Sequence, residues 1–164
     1  MHARTITILT IAALTLTACG TRTDTSTKTE PSTKASSPSP SPDITDLFID
    51  WRDGGGSETL TTLVDDLSDV GEASDPFDID ALGDACSSLT ADVETAQLGD
   101  PIPDKGTQKN WNLALAHFAK SATACTTGAY SEDQTQFDLM ASEMDIGIKH
   151  LNAVNKQLDE ILGE

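Results

Sequence analysis

The sequence predicts an all-α fold over residues 43–164: an antiparallel bundle of four main helices plus a short leading helix. Apolar residues recur every three to four positions through nearly all of this region, which is the period of helices that each bury one face. Glycines, prolines and capping residues separate the periodic segments. No segment alternates apolar and polar residues for long enough to make a convincing strand.

A glycine triplet separates the leading helix from the second helix. The leading apolar stripe is Ile44, Leu47, Phe48 and Trp51. Gly54–Gly56 predict the end of this helix, and Ser57 is expected to cap the next one. The second stripe is Leu60, Leu63, Val64, Leu67 and Val70, and the Asp75-Pro76 pair ends it.

Three more stripes follow. The third is Ile79, Leu82, Cys86, Leu89 and Val93, which ends near Gly99. Asp104 or Thr107 is expected to cap the fourth helix, and Gly128 to close it. The fourth stripe is Trp111, Ala114, Leu115, Phe118, Ala122 and Cys125. Ser131 is expected to cap a long last helix with the stripe Phe137, Met140, Met144, Ile148, Leu151, Leu158 and Leu162.

The charge is strongly acidic. The 164 residues include 27 acidic and 10 basic side chains, for a formal charge of −17. Residues 43–164 hold 25 of the acids and 6 of the bases, so most of the negative charge lies in the helical region. Without a basic stripe, binding of nucleic acid is disfavoured, and so is docking of the helical region on an anionic lipid surface.

Residues 1–18 have the layout of a signal peptide. Arg4 precedes the apolar run 6–16, which is too short to span a bilayer. Leu16-Thr17-Ala18-Cys19 follows, and this stretch resembles the lipobox of bacterial lipoproteins. The resemblance implies that signal peptidase II cuts between Ala18 and Cys19 and that the Cys19 thiol carries a diacylglyceryl group. It also implies a chain held on the extracytoplasmic side of the cell membrane by acyl chains such as palmitate. The alternative is an ordinary secretory signal or an uncleaved anchor.

Residues 19–42 predict a disordered linker after the anchoring cysteine. From Thr21 to Pro42, Ser, Thr and Pro dominate, and no Val, Ile, Leu, Met or aromatic residue occurs. Such a segment has too little apolar surface to offset the entropy of ordering its backbone. It is a spacer, or alternatively an O-glycosylated stalk.

Cys86 and Cys125 are predicted to form a disulfide. Each lies in the apolar stripe of its helix, and the lengths of the two helices and their connection allow the sulfurs to meet across a hairpin. Disulfides persist outside the cytoplasm. The alternative is a pair of buried free thiols. A metal pair is disfavoured because no histidine or carboxylate shares these stripes.

The sequence indicates no catalytic residue, metal site or cofactor. His117 and His150 each lie about 120° from the centre of their stripe, so both are expected to be partly exposed surface residues. The motifs of zinc proteases, nucleophile elbows and phosphate-binding loops do not occur. Loose Ca²⁺ binding remains an alternative for the acids around 75–84, although the EF-hand spacing is not met. Trp51 and Trp111 are read as core residues rather than as ligand-stacking ones.

A looser resemblance concerns the pattern Asp100-Pro101-Ile102-Pro103-Asp104, Trp111, Leu115, Ala119 and Cys125, with Cys86 before it. It is similar to small helical lipoproteins of actinobacteria, which have no settled activity. The expected function is therefore that of an envelope lipoprotein with a non-catalytic acidic interaction domain, whose partner is another envelope protein. The alternatives are a carrier of a small apolar ligand, an enzyme, or a lipoprotein of a phage or mobile element that excludes competing phage.

Overall fold

The computed structural model of the chain describes residues 43–163. The predicted leader, the lipobox with Ala18 and Cys19, and the linker lie outside the described residues. Helix α1 comprises Ile44–Trp51, and a π-helical turn, Arg52–Gly56, leads into α2, Ser57–Ser74. Helices α3, α4 and α5 comprise Ile79–Leu98, Lys105–Ser131 and Gln134–Leu162.

These helices form an all-α bundle, which confirms the predicted fold class. Short connections join α2 to α3, α3 to α4 and α4 to α5, and each of these helices packs on the next one in the chain. The α4–α5 contact is the most extensive, and α1 lies against α5. None of the described helices is long and apolar enough to cross a bilayer.

The core is built mainly from α3 and α4, on the faces that the stripes predict. Leu89, Leu115 and Phe118 are fully buried or nearly so, and Phe48 of α1 joins the same cluster. Cys86 and Cys125 lie in this cluster at disulfide distance, with their Cα atoms 6.1 Å apart. Each apolar side chain of this size contributes about 1.5–3 kcal/mol when it is fully buried.

The glycine triplet separates α1, which ends at Trp51, from α2, as predicted. The π-helical turn between them is kinked at Gly55, whose φ of 116° and ψ of −7° are not helical. Gly56 is buried against Trp51, whose indole carbons lie 2.5–2.7 Å from where a Cβ would be. Ser57 is therefore not an N-cap: it has helical backbone angles, and its amide donates to the carbonyl of Arg52. Gly56 leaves room for the Trp51 indole, and Gly55 allows the kink, since only Gly readily adopts the backbone angles of position 55.

The fourth helix continues beyond its predicted end. Gly128 is buried inside α4, where a Cβ would meet the ring of Phe137 at 3.0 Å. Ser131 is the last residue of α4 rather than the cap of α5. Asp133 caps α5 instead, because its carboxylate accepts from the amide of Thr135 at 2.9 Å. Gly128 is thus a packing position and not a helix stop.

Of the two residues predicted to cap α4, Asp104 is the cap. Its Oδ2 accepts from the amide of Thr107 at 2.8 Å and from the Thr107 hydroxyl at 3.0 Å. Charge-assisted bonds of this kind satisfy amides that a helix start leaves free. They also hold the pKa of the Asp104 carboxyl below its ordinary value.

Three of the predicted stripe residues are exposed. Ile44 of α1, Val64 of α2 and Ile148 of α5 are 42%, 48% and 38% exposed. The fully buried residues of α5 are Gly147, Leu151 and Val154. The other predicted stripe residues pack against the core while partly buried: Phe137, Met140, Met144, Leu158 and Leu162. Gly147 lets α5 approach the Phe118 ring so closely that a Cβ would lie 2.5 Å from a ring carbon.

Candidate functional site

A row of polar side chains follows the contact between α4 and α5, and we call it the histidine seam. It comprises Asn110 and His117 of α4, and Glu143 and His150 of α5. The two imidazole rings have centroids 5.9 Å apart and planes that differ by 11°. His117 Nδ1 lies 2.6 Å from Glu143 Oε2, and His150 Nδ1 lies 3.2 Å from Asn110 Oδ1.

The network assigns the proton positions at both histidines. The Asn110 amide nitrogen donates to Gln157 Oε1 at 3.1 Å and to the carbonyl of Gly106 at 3.4 Å, so its oxygen is left as an acceptor. His150 Nδ1 must therefore be the donor. A carboxylate accepts only, so His117 Nδ1 likewise donates to Glu143.

Glu143 is held in its ionised form. The hydrogen bond from His117 and the charge of Lys120, whose Nζ lies 3.7 Å away, hold its pKa below the ordinary value. The Glu143 side chain is only 17% exposed, and that of His117 is 18% exposed. A charge-assisted hydrogen bond at this depth is stronger than one in open water.

Both histidines are partly exposed, as predicted, but their hydrogen bonds to a neighbouring helix were not predicted. Each is half-buried and hydrogen-bonded across the helix contact. A position 120° from the centre of a stripe looks exposed when one helix is considered alone. When two helices pack side by side, such flanking positions meet along the edge of their contact.

A second polar feature is a pair of carboxyl groups, Asp66 of α2 and Asp92 of α3. Asp66 is 8% exposed, and its Oδ2 has no hydrogen-bond partner among the described residues. Burial raises its pKa to about 7, and the neighbouring Asp92 adds to the effect. Asp65 and Asp69 also raise this pKa by charge repulsion. The sequence does not indicate this pair, because Asp66 is one of eleven acids in residues 57–98 and nothing in the pattern distinguishes it.

Charge is segregated between the two halves of the bundle. We call residues 57–98, which form α2, α3 and their connection, the acidic hairpin. It holds eleven Asp and Glu residues and no Lys, Arg or His. Nine of these acids are exposed: Glu58, Asp65, Asp69, Glu72, Asp75, Asp78, Asp80, Asp84 and Glu94. Among the described residues, the salt bridges lie outside the acidic hairpin.

One acid of the group around 75–84 has a structural role. The Asp78 carboxylate accepts from the amides of Asp80 and Ala81, both at 3.1 Å, and so caps α3. The described residues contain no cluster of three or more His, Cys, Asp or Glu side chains arranged around a common ion.

A cleft of about 180 Å³ lies between α1, the start of α2 and the end of α5, and its lining includes the polar side chains of Arg52, Asn155 and Asp159. Apolar side chains from all three helices line it, among them Phe48, Leu60 and Leu158. Trp51 also lines this cleft, and its Nε1 donates to the carbonyl of Asp100 at 3.0 Å. Trp111 is buried in the core, as predicted, whereas Trp51 is half-buried.

A wider and shallower groove of about 520 Å³ lies beside Glu143. Its lining includes Ala119, Lys120 and Leu139, but not His117. Of the His117–Glu143 pair, therefore, only Glu143 lines this groove. Comparisons with protein-family models, curated proteins and solved structures found no match.

Proposed function

We propose that this chain is a lipoprotein of the cell envelope, anchored through Cys19 on the extracytoplasmic side, whose acidic helical domain binds another envelope protein. The domain acts by binding and not by catalysis. The partner presents a basic surface. The acidic hairpin is the single observation that carries the proposal.

The electrostatics of the hairpin favour a basic partner. Nine carboxylates are exposed on two adjacent helices and their connection, and no positive side chain in that segment neutralises them. Like charges at this density repel one another in the free protein. A basic surface relieves that repulsion and is drawn to the hairpin over distances of roughly 10 Å, the screening length at 0.1 M salt.

A charge-matched pair of variants tests this binding role. One triple variant neutralises exposed acids of α2: Asp65→Asn, Asp69→Asn and Glu72→Gln. The control removes the same charge from the other half of the bundle: Glu132→Gln, Asp138→Asn and Asp145→Asn. Each full chain is used to capture proteins from envelope extracts, and captured proteins are released with increasing salt.

The expected result is a defined basic protein that elutes at moderate salt from the wild type and the control but is lost from the α2 variant. Titration of each purified chain with the purified partner should then give similar affinities for the wild type and the control and a lower affinity for the α2 variant. Equal capture by both variants, or capture that salt does not weaken, would contradict the proposal.

The anchor is tested separately through Cys19. Two acyl chains hold a protein stably on a bilayer, at about 0.8 kcal/mol for each buried methylene. Changing Cys19→Ala should release the chain from membranes in cell fractionation. Intact mass of the wild type should show the lipid adduct. An equal amount of Cys19→Ala chain in the membrane fraction would rule out this anchor.

The cleft between α1, α2 and α5, whose lining includes Phe48, Leu60 and Leu158, favours a second candidate function, the carriage of a small apolar ligand. Its volume of about 180 Å³ suits a ligand of roughly benzene size, since an engineered apolar cavity of about 150 Å³ holds benzene. Benzene should then raise the melting temperature of the wild type. Leu162→Trp, which narrows the cleft, should remove this rise. No rise in the wild type would exclude the cleft as a benzene site.

A further inference from the structure

Each histidine of the seam has one ring nitrogen that the fold does not use. His117 and His150 both donate through Nδ1, and neither Nε2 has a hydrogen-bond partner among the described residues. In the neutral ring with a proton on Nδ1, Nε2 carries the lone pair that binds metals. The seam thus fixes the tautomer that makes each Nε2 a ligand.

The order of residues along the seam places the two imidazole rings next to each other, with the hydrogen-bond partner of each Nδ1 at the outer end. His117 lies seven residues beyond Asn110 on α4, and His150 seven residues beyond Glu143 on the antiparallel α5. The two histidines therefore lie between Glu143 at one end and Asn110 at the other. Because Nδ1 of each ring is held at its outer side, each Nε2 is left on the side that faces the other histidine or solvent.

The spacing of the rings suits a shared ion. A metal–nitrogen bond of about 2.0–2.1 Å places a ring centroid about 3.2 Å from the ion, so two rings on one ion have centroids about 5.2 Å apart at a tetrahedral angle and up to about 6.4 Å apart at wider angles. The observed 5.9 Å lies within that reach. Glu143 and Asn110 occupy the positions of the outer hydrogen-bond partners that orient metal-binding histidines.

We propose that His117 and His150 together bind one divalent transition-metal ion of the imidazole-preferring class, such as Zn²⁺, through their Nε2 atoms. Water completes the coordination, because the described residues bring no third ligand to the pair. Two protein ligands give a weaker and more exchangeable site than the three or four of catalytic and structural zinc sites. Ca²⁺ and Mg²⁺ prefer oxygen and do not compete for it.

The test titrates the full chain with Zn²⁺ in the presence of excess Ca²⁺, which occupies the surface carboxylates. Long-range ¹H–¹⁵N spectra of the histidine side chains report which ring nitrogen binds. The variants are His117→Gln and His150→Gln, each checked for folding by circular dichroism. Asp145→Asn removes an exposed carboxylate of the same helix and is the matched control.

At one equivalent of Zn²⁺, the Nε2 signals of His117 and His150 should shift together. Either glutamine variant should weaken binding at least tenfold and abolish the shift of the remaining histidine at that concentration, while Asp145→Asn binds as the wild type. Three results would each overturn the proposal: no shift at either histidine, a shift at one histidine alone, or equal affinity in the glutamine variants. Two variants are used so that a folding defect in one leaves the other decisive.

Discussion

Asp66 is the side chain whose ionisation the fold opposes most clearly. Its carboxyl is nine-tenths buried, faces Asp92, and has a pKa of about 7 against an ordinary value of 3.8. Between about pH 4 and pH 7 the folded chain therefore keeps a proton at this site that the unfolded chain has released. The stabilisation is complete at the acidic end of this window and is lost as the pH rises through 7.

Changing Asp66→Asn should remove that pH dependence. The amide keeps the shape of the carboxyl, needs no proton and donates to Asp92, so we expect the variant to be more stable than the wild type at pH 8 by about 1–3 kcal/mol. Urea unfolding at pH 4, 6 and 8 measures the difference. Asp84→Asn, at an exposed residue of α3 that does not shift the pKa of Asp66, should leave the wild-type slope in place. A variant that loses stability with pH as steeply as the wild type would argue against a protonated Asp66.

Gly147 and Gly71 form a second residue-scale comparison. A methyl group at position 147 would lie 2.5–2.6 Å from carbons of the Phe118 ring, whereas nothing lies within 4 Å of one at position 71. Gly147→Ala should therefore lower the free energy of unfolding by about 1–3 kcal/mol. Gly71→Ala, in an open stretch of α2, should raise it by about 0.5–1 kcal/mol. Thermal unfolding of both variants checks the contrast, and a neutral Gly147→Ala would show that α5 can move away from α4.

At the scale of elements, the cysteine pair connects α3 to α4 across the core. The sequence separation of 39 residues corresponds to a stabilisation of about 4 kcal/mol in the chain-entropy treatment of cross-links. The double variant Cys86→Ala, Cys125→Ala should unfold at correspondingly lower urea concentration. Thiol counting on unfolded, unreduced chain should find neither cysteine free. Reaction of both thiols under these conditions would show that the pair is reduced.

The helices that the sequence predicts best are those with the most regular stripes. Residues such as Leu89 and Phe118 are buried as predicted because their neighbours at helical spacing are also apolar. The predictions that Gly128 ends α4 and that Ser131 caps α5 are wrong, because α4 continues to Ser131. Gly128 fits beneath Phe137, and Asp133 supplies a charged cap two residues beyond Ser131.

The polar sites could not be predicted from single helices. Asp66 and the two histidines each contact residues of a neighbouring helix. The apolar stripe of one helix does not indicate which of its flanks will meet which flank of the next helix. The periodicity of apolar residues indicates which face of a helix points toward the core. The rotation of two helices about each other, which forms the histidine seam, depends on packing details such as the close approach at Gly147.

At the scale of the whole molecule, the excess of acids should make stability depend on salt. The chain has a formal charge of −17, and self-repulsion at that charge weakens the compact state. Raising NaCl from 20 to 500 mM should therefore raise the melting temperature, because salt shortens the screening length from tens of ångströms to a few. The triple variant of α2 should gain less than the wild type. A melting temperature that falls with salt would contradict the expected repulsion.

The bridge predicted between Cys86 and Cys125 has a topological consequence for the segment it encloses. The connection from Gly99 to Asp104, which includes exposed residues, lies inside the covalent ring that the bridge closes. A protease that nicks the backbone there opens the ring without parting the pieces. The two fragments travel as one species of nearly unchanged mass and separate into two bands after a reducing agent is added.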